Sequence, residues 1–346
     1  MKNLLKILIF LLFLSSCSEE PVEAVFNDLD TTSGVFIACE GNFMYGNGSL
    51  SFYNDKKKIV TNQLFYAVNN VPLGDVVQSV TFFNDNLYIV VNNSGKVYVA
   101  DARSVDFRGV ISGLTSPRNV HFVNSGKAYI SDLYADNLII FNPSTFEKTG
   151  TINLQGHTSE KMIQIGRFVY ISSWSFDKYI LVVDTETDSL VSKIEVPYQP
   201  KDLVADKSDK LWVLSDGGFD NSSEVPREPS LSRIDPQTLT IEQIFRFEKS
   251  MWPSSLNING AGDTLYFING GVYKMAVTDR NLPSSPFISN ESGQFYSMSV
   301  NPQNGEVYIA DAIDYSQNAL IMRYSTSGKL TDSFKAGINP SDFLFR

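Results

Sequence analysis

Apolar residues in this chain come in short bursts, separated by clusters of Asn, Asp, Gly and Ser. The stretch from Asn84 to Ser104 shows the unit. Leu87-Tyr88-Ile89-Val90-Val91 is a β-branched and aromatic run, Asn92-Asn93-Ser94-Gly95 a turn tolerant of positive φ, and Val97-Tyr98-Val99-Ala100 the return strand. A strand at Ser79–Phe83 precedes this hairpin. A fourth follows near Val110-Ile111, ahead of the break at Thr115-Ser116-Pro117. The run Leu87–Val90 has counterparts at Val35–Ala38, Ala128–Ser131, Phe168–Ile171, Leu211–Leu214, Leu265–Ile268 and Val307–Ala310. Most intervals are about 40 residues, the period of a four-stranded propeller blade. The preceding strand also recurs, beginning near Ser79, Asn119, Lys161, Lys201, Ser255, Tyr296 and Ser341. Its last copy, Pro340–Phe345, has no partner after it, and Val35–Ala38 has none before it. The pattern therefore predicts an all-β fold: a seven-bladed β-propeller of four-stranded antiparallel blades, closed by the C-terminal strand pairing into the N-terminal blade. A parallel β-helix repeats at a shorter period, and a two-sheet sandwich needs no seven-fold recurrence.

The first residues do not follow this pattern. Lys2 and Lys6 flank the start of an apolar run, Ile7–Leu14, too short to span a bilayer as a helix. It ends in Leu14-Ser15-Ser16-Cys17, which resembles a bacterial lipobox, with Cys17 as the acylated residue. An ordinary secretory signal with a chance cysteine is the alternative. Ser18-Glu19-Glu20 resembles the surface-export signal of Bacteroidota lipoproteins. The expected organisation is residues 1–17 as lipoprotein signal and lipidated Cys17, 18–33 as an acidic tether, and 34–346 as the propeller. An acylated Cys17 leaves Cys39 without a disulfide partner, so Cys39 reads as a small buried hydrophobe.

The formal net charge of −10 and the absence of a basic stripe argue against a nucleic-acid partner. No Ser/His/Asp triad context, HExxH, P-loop or dinucleotide fingerprint occurs, and a non-enzymatic role is expected, with no catalytic cofactor. A metal-dependent, lactonase-like propeller enzyme remains a weaker alternative. His121 falls in an inner strand and reads as a core residue. His157 falls in a connection, either structural or an axial ligand to a metal complex.

The chain has 24 phenylalanines and 16 tyrosines, and many fall in turns rather than strands. Loops joining the second and third strands share one face of a propeller with the connections between blades. Such loops carry function on a rigid scaffold. On that face the candidate ligand contacts are Phe43, Tyr45, Asn92, Arg118, Asp132, Tyr134, Trp174, Phe176, Lys201, Asp216, Phe219, Trp252, Tyr296, Asp311 and Tyr315. Aromatics give contact area at little rotamer cost, and Asn and Ser give adaptable hydrogen bonds. The same aromatics could instead pack on neighbouring loops. Arg118 and Lys201 open inner strands, where they could meet a ligand's amide carbonyls or phosphate. Asp132, Asp216 and Asp311 end second strands. They could converge on a metal, or accept hydrogen bonds from the next loop, which is the simpler expectation. The Glu224–Pro229 insertion reads as an exposed loop.

Glu40-Gly41-Asn42-Phe43, followed by Gly46-Asn47-Gly48-Ser49-Leu50-Ser51-Phe52-Tyr53, resembles the BtuG family of cobalamin-binding surface lipoproteins of gut Bacteroidota. The lipobox, the acidic tether and the seven repeats agree, so the resemblance spans nearly the whole chain. It implies a YncE-like seven-bladed propeller that captures cobalamin (vitamin B12) and other corrinoids with very high affinity. It further implies a lipid-anchored position at the cell surface, on the outer membrane, and delivery to a BtuB-type TonB-dependent transporter. A propeller lipoprotein that binds a glycan is the competing reading, because stacking aromatics serve sugars as well as corrins.

Overall fold

A computed structural model describes residues 29–218, 228–291 and 293–346. The lipobox with Cys17, most of the 18–33 tether, Phe219 and most of the 224–229 insertion lie outside the described residues. The unit Thr31–Arg346 is a ring of seven antiparallel sheets. From the axis outward they are β27-β1-β2-β3, β4-β5-β6-β7, β8 to β11, β12 to β15, β16 to β19, β20-β21-β22 and β23 to β26. The third strands are β2 (Ser49–Asn54), β6 (Lys96–Asp101), β10 (Asn137–Phe141), β14 (Tyr179–Asp184), β18 (Ser230–Asp235), β22 (Gly271–Ala276) and β25 (Leu320–Tyr324), and the outermost are β3 (Ile59–Thr61), β7 (Phe107–Ile111), β11 (Lys148–Asn153), β15 (Ser189–Glu195), β19 (Thr240–Arg246) and β26 (Leu330–Lys335). The inner strands are β4 (Val77–Phe83), β8 (Pro117–Asn124), β12 (Met162–Ile165), β16 (Pro200–Ala205), β20 (Ser254–Ile258), β23 (Phe295–Val300) and β27 (Pro340–Phe345). The second strands are β1 (Val35–Cys39), β5 (Asn86–Val91), β9 (Lys127–Asp132), β13 (Phe168–Ser173), β17 (Leu211–Ser215), β21 (Thr264–Asn269) and β24 (Val307–Asp311). Every predicted recurrence of both strands falls on one of these.

Burial explains why the second strands read as unbroken apolar runs. β1 and β17 are buried at every position, because each blade is covered on both faces by its neighbours. Alternate residues of β13 serve alternate neighbours. Val169 and Ile171 pack with Tyr129, Leu138 and Ile140 of the third blade, while Tyr170 packs with Leu211, Val213 and Ile234 of the fifth. Outermost strands have the ordinary alternation instead, as in β19 (Thr240–Arg246). Cys39 is fully buried, and that desolvation pushes its thiol up to about 12, which keeps it protonated and inert.

The ring closes as the pattern predicts. β27 pairs antiparallel with β1, Ile37 opposite Phe343 and Val35 opposite Phe345. The backbone bonds Glu40 N–H to Asn339 O (2.9 Å) and Arg346 N–H to Gly34 O (2.9 Å) extend the seam at both ends. Two local features were not foreseen. Leu64–Asn69 forms a six-residue helix, α1, which tucks Leu64 and Phe65 under the first interblade connection. The sixth blade stops at three named strands. A single bridge between Val272 and Ile288 takes the outer position, since Pro283 and Pro286 cannot donate to a regular ladder. Among the described residues no helix is long and apolar enough to cross a membrane.

Candidate functional site

Six of the seven inner strands carry one extra residue relative to their partner. The register shifts between Val77 and Ser79, Pro117 and Val120, Pro200 and Asp202, Ser254 and Asn257, Phe295 and Ser297, and opposite the Ala38/Cys39 step in β27. A bulge turns its extra side chain off the sheet's regular alternation. The residues released are Gln78, Arg118, Lys201, Ser255, Tyr296 and Ser341, and all of them line one axial cavity of about 400 Å³. Lys161, immediately before β12, supplies the contribution of the remaining blade, the fourth. The repeated fold thus builds a ring of polar groups at one end of the axis.

Burial of opposite charges organises the cavity wall. The Arg118 guanidinium donates through Nε to both Glu160 oxygens (2.7 and 2.8 Å) and through Nη1 to Gln78. The two paired side chains are 15 % and 5 % exposed, so neither charge is left to water. Tyr296 donates its hydroxyl to Glu40, whose carboxyl is pushed up from the ordinary carboxylate range by enclosure. Asp342 lines the cavity and accepts the Val80 N–H at 3.0 Å. Enclosure pushes its carboxyl up too, with Lys161 opposing. A carboxyl raised in the folded state favours folding fully below its unfolded value, and that contribution is lost as pH rises. Asp342→Asn keeps an acceptor for Val80 without the charge. It should therefore raise the melting temperature by a few degrees at pH 7 and leave it unchanged near pH 3. Equal melting curves at pH 7 would show that Lys161 already offsets the desolvation.

The aromatic residues lie above this ring. Among the described residues, sixteen large apolar side chains are exposed. Ten of them sit on the connections of the cavity-side face, namely Phe43, Met44, Tyr45, Val71, Tyr134, Phe176, Trp252, Ile313 and Tyr315 in loops and Tyr66 on α1. The other six lie on outermost strands, and none is in a turn of the opposite face. Water would favour the reverse at loop tips, so this one-sided exposure marks a binding face.

The candidate residues fall into three groups. Arg118, Lys201 and Tyr296 line the cavity. Trp174 and Tyr315 stand next to it. The Trp174 indole donates to Asp216 (2.8 Å) and lies 5.9 Å beneath the Lys201 ammonium, while Tyr315 meets Tyr296 edge-on at 6.0 Å. Phe43, Tyr45, Tyr134, Phe176 and Trp252 are exposed on the same face. The remaining candidates serve the loops themselves. Asn92 is buried and donates to Ser116 Oγ and Pro117 O. Asp132 is buried and accepts four backbone N–H bonds, from Thr115, Ser116, Tyr134 and Ala135. Asp311 accepts those of Gln294 and Ile313, and Asp216 those of the indole and Gly218. These are the loop-stapling roles that the sequence favoured over a metal. Among the described residues no group of three or more His, Cys, Asp or Glu side chains is placed to hold a metal ion. His121, on β8, bonds Gln164 of β12 in the neighbouring blade at 2.9 Å, and burial lowers its pKa. His157 has both ring nitrogens engaged, Nδ1 by Asp177 (2.6 Å) and Nε2 by Lys193 (3.0 Å).

Glu40, Gln78, Glu160, Lys161, Asp202 and Asp342 also line the cavity and were not singled out from sequence. A signal existed, for several of them are polar residues at the mouths of otherwise apolar inner strands. The Glu40-Gly41-Asn42 element now has a physical role. Gly41, at φ +74°, lies where a Cβ would come within 2.4 Å of the Asn47 side chain. The tight turn sends Asn42 to Tyr315 O (2.6 Å) and leaves Glu40 facing the axis.

Fold and site together define a seven-bladed β-propeller with an aromatic-rimmed, charge-lined axial cavity. More narrowly, the chain belongs to the family described as a domain of unknown function (DUF5074), which it matches over residues 33–345. Among solved structures it is similar to a quinonprotein alcohol dehydrogenase-like protein of Bacteroides thetaiotaomicron VPI-5482. The identity there is 17 % and the TM-score 0.71, over 91 % of this chain and 79 % of that one. The β-propeller domain of Myceliophteria thermophila Cps50 (Swd1) matches at 10 % identity and TM-score 0.62, over 80 % and 90 % of the two chains. Kuenenia stuttgartiensis hydrazine synthase matches at 16 % identity and TM-score 0.58, over 76 % and 88 %. These likenesses concern the fold. No curated protein matches the sequence.

Proposed function

We propose that this protein captures cobalamin on its cavity-side face and passes it to a TonB-dependent outer-membrane transporter. It would do so from the cell surface, anchored through acylated Cys17, without catalysing a reaction. The observation that carries the reading is the one-sided exposure of aromatic residues around a polar axial cavity. The resemblance of Glu40–Tyr53 to the BtuG family supplies the ligand.

The physical scale is compatible. A cavity of about 400 Å³ is at the small end for ligand pockets. A corrinoid of roughly ninety non-hydrogen atoms would lie across the face, with only a part reaching the axis. At about 0.2 kcal/mol per atom such a ligand approaches the ceiling of non-covalent affinity. Both His157 nitrogens are engaged, so the reading relies on aromatic contact and hydrogen bonds rather than on a cobalt–histidine bond.

Calorimetry with cyanocobalamin tests the ligand. Saturable binding at one to one, tighter than nanomolar, is the expected result, and no binding by calorimetry and equilibrium dialysis would overturn it. The anchor is tested by fractionation, in which Cys17→Ala should move the protein out of the membrane fraction. A variant that stays with the membrane would remove the anchoring role from Cys17.

A further inference from the structure

The charges on the cavity wall are unevenly partnered. Each carboxylate there has a protein donor. Glu160 is held by Arg118, Glu40 by the Tyr296 hydroxyl, Asp202 by the Leu256 N–H (3.2 Å), and Asp342 by the Val80 and Phe343 N–H groups. The two lysines differ. Among the described residues, neither Lys161 nor Lys201 has a carboxylate oxygen within 4.0 Å. The Lys161 ammonium makes one hydrogen bond, to Asn119 Oδ1 at the limiting distance of 3.5 Å. The Lys201 ammonium makes none and is steadied only by the Trp174 face. Both are half-buried, on the inner edges of adjacent blades. An ammonium group has three donors, and on these half-buried side chains most of them are open to an anion's oxygens in exchange for water.

We infer that Lys161 and Lys201 form an oxyanion subsite at the axis, which takes a phosphate or phosphodiester group of the bound ligand. Arg118 is not a ligand contact in this account, because Glu160 already neutralises it. It is a positioning residue that braces the wall between the third and fourth blades. Lysine binds phosphate as a point charge, which suits two ammonium groups that line one cavity from adjacent blades. The subsite is independent of the cobalamin reading. If that reading holds, the phosphodiester of the cobalamin nucleotide loop is the group it would take.

The test uses the full chain and two probes. In the first arm, inorganic phosphate is titrated to tens of millimolar while the lysine side-chain NMR signals of Lys161 and Lys201 are followed, with chloride matched for ionic strength. Saturable shifts at both lysines are expected. The shift of the remaining lysine should weaken in Lys161→Met and in Lys201→Met, and that of Lys161 should persist in Lys201→Arg, which preserves charge and the stack on Trp174. No response in the wild type, or an unchanged phosphate affinity at the remaining lysine in both single Met variants, would overturn the subsite. In the second arm, each Lys→Met change should speed cyanocobalamin release by roughly 10- to 100-fold, while release of cobinamide, which lacks the nucleotide loop, should be little changed. Cyanocobalamin release unaffected in the Lys161→Met/Lys201→Met double variant removes the subsite and leaves the cobalamin reading standing. Phosphate binding without cyanocobalamin binding does the opposite.

Discussion

Deletion of Pro340–Arg346 will leave the protein unfolded, or molten, at ambient temperature. The segment is the inner strand of the first blade, and every other described strand already has its own place in a sheet. Its loss removes the whole ladder to β1 and uncovers Val35, Ile37 and Cys39, which are fully buried in the intact ring. Phe343 and Phe345 also pack on Tyr308 of the seventh blade, and Arg346 sits 4.7 Å from the ring centre of Phe82 in the second. The seam is therefore held by contacts to three blades. Each fully buried apolar side chain contributes about 1.5–3 kcal/mol. The sum is of the order of the ~5–15 kcal/mol net stability of a domain. Loss of the cooperative thermal transition is expected, with recovery on adding a peptide of residues 336–346 in trans. A truncated protein with an unchanged melting temperature would refute closure by this strand.

On the proposed cobalamin reading, replacing Trp174 or Trp252 with alanine should accelerate cobalamin release by roughly 30- to 1,000-fold, while His157→Ala should change it little. The magnitude is that of losing a central aromatic anchor, about 2–4 kcal/mol. Trp174 is fixed by Asp216 at one edge and Lys201 above, so its ring is already oriented before ligand arrives. Such preorganisation lowers the entropy cost of binding. Trp252 stands 55 % exposed on the same face. His157, with both nitrogens bonded to Asp177 and Lys193, contributes to its loop. Dissociation rates are the measurement, since affinity differences within one site appear mostly there. Slow release from both tryptophan variants with fast release from His157→Ala would replace the aromatic face with axial coordination. A shifted corrin absorption spectrum on binding would accompany that outcome.

The ring and its closure were legible in the sequence, whereas the cavity was not, and the reason is the range of the interactions involved. Strand runs and turns are local. Leu87–Val91 is apolar throughout because both faces of a second strand are covered, and Asn92–Gly95 has the residues a tight turn needs. Seven repetitions of such local units leave little choice of architecture. The unpaired C-terminal strand then specifies the seam. The cavity depends on cross-strand register. A one-residue shift moves a side chain to another face, so whether Gln78 or Ser79 points to the axis is settled only when β4 pairs with β5. Its charge pattern depends on contacts between blades. Arg118 meets Glu160 from a neighbouring blade, and Glu40 meets Tyr296 across 256 residues of chain. No spacing in the sequence encodes those pairs. By itself the sequence determined the blades, their number and the face that carries the aromatics. Only the tertiary structure decided which polar groups are consumed by one another and that Lys161 and Lys201 are left facing the axis, because partner choice in a buried network follows from distances that exist only in the closed ring.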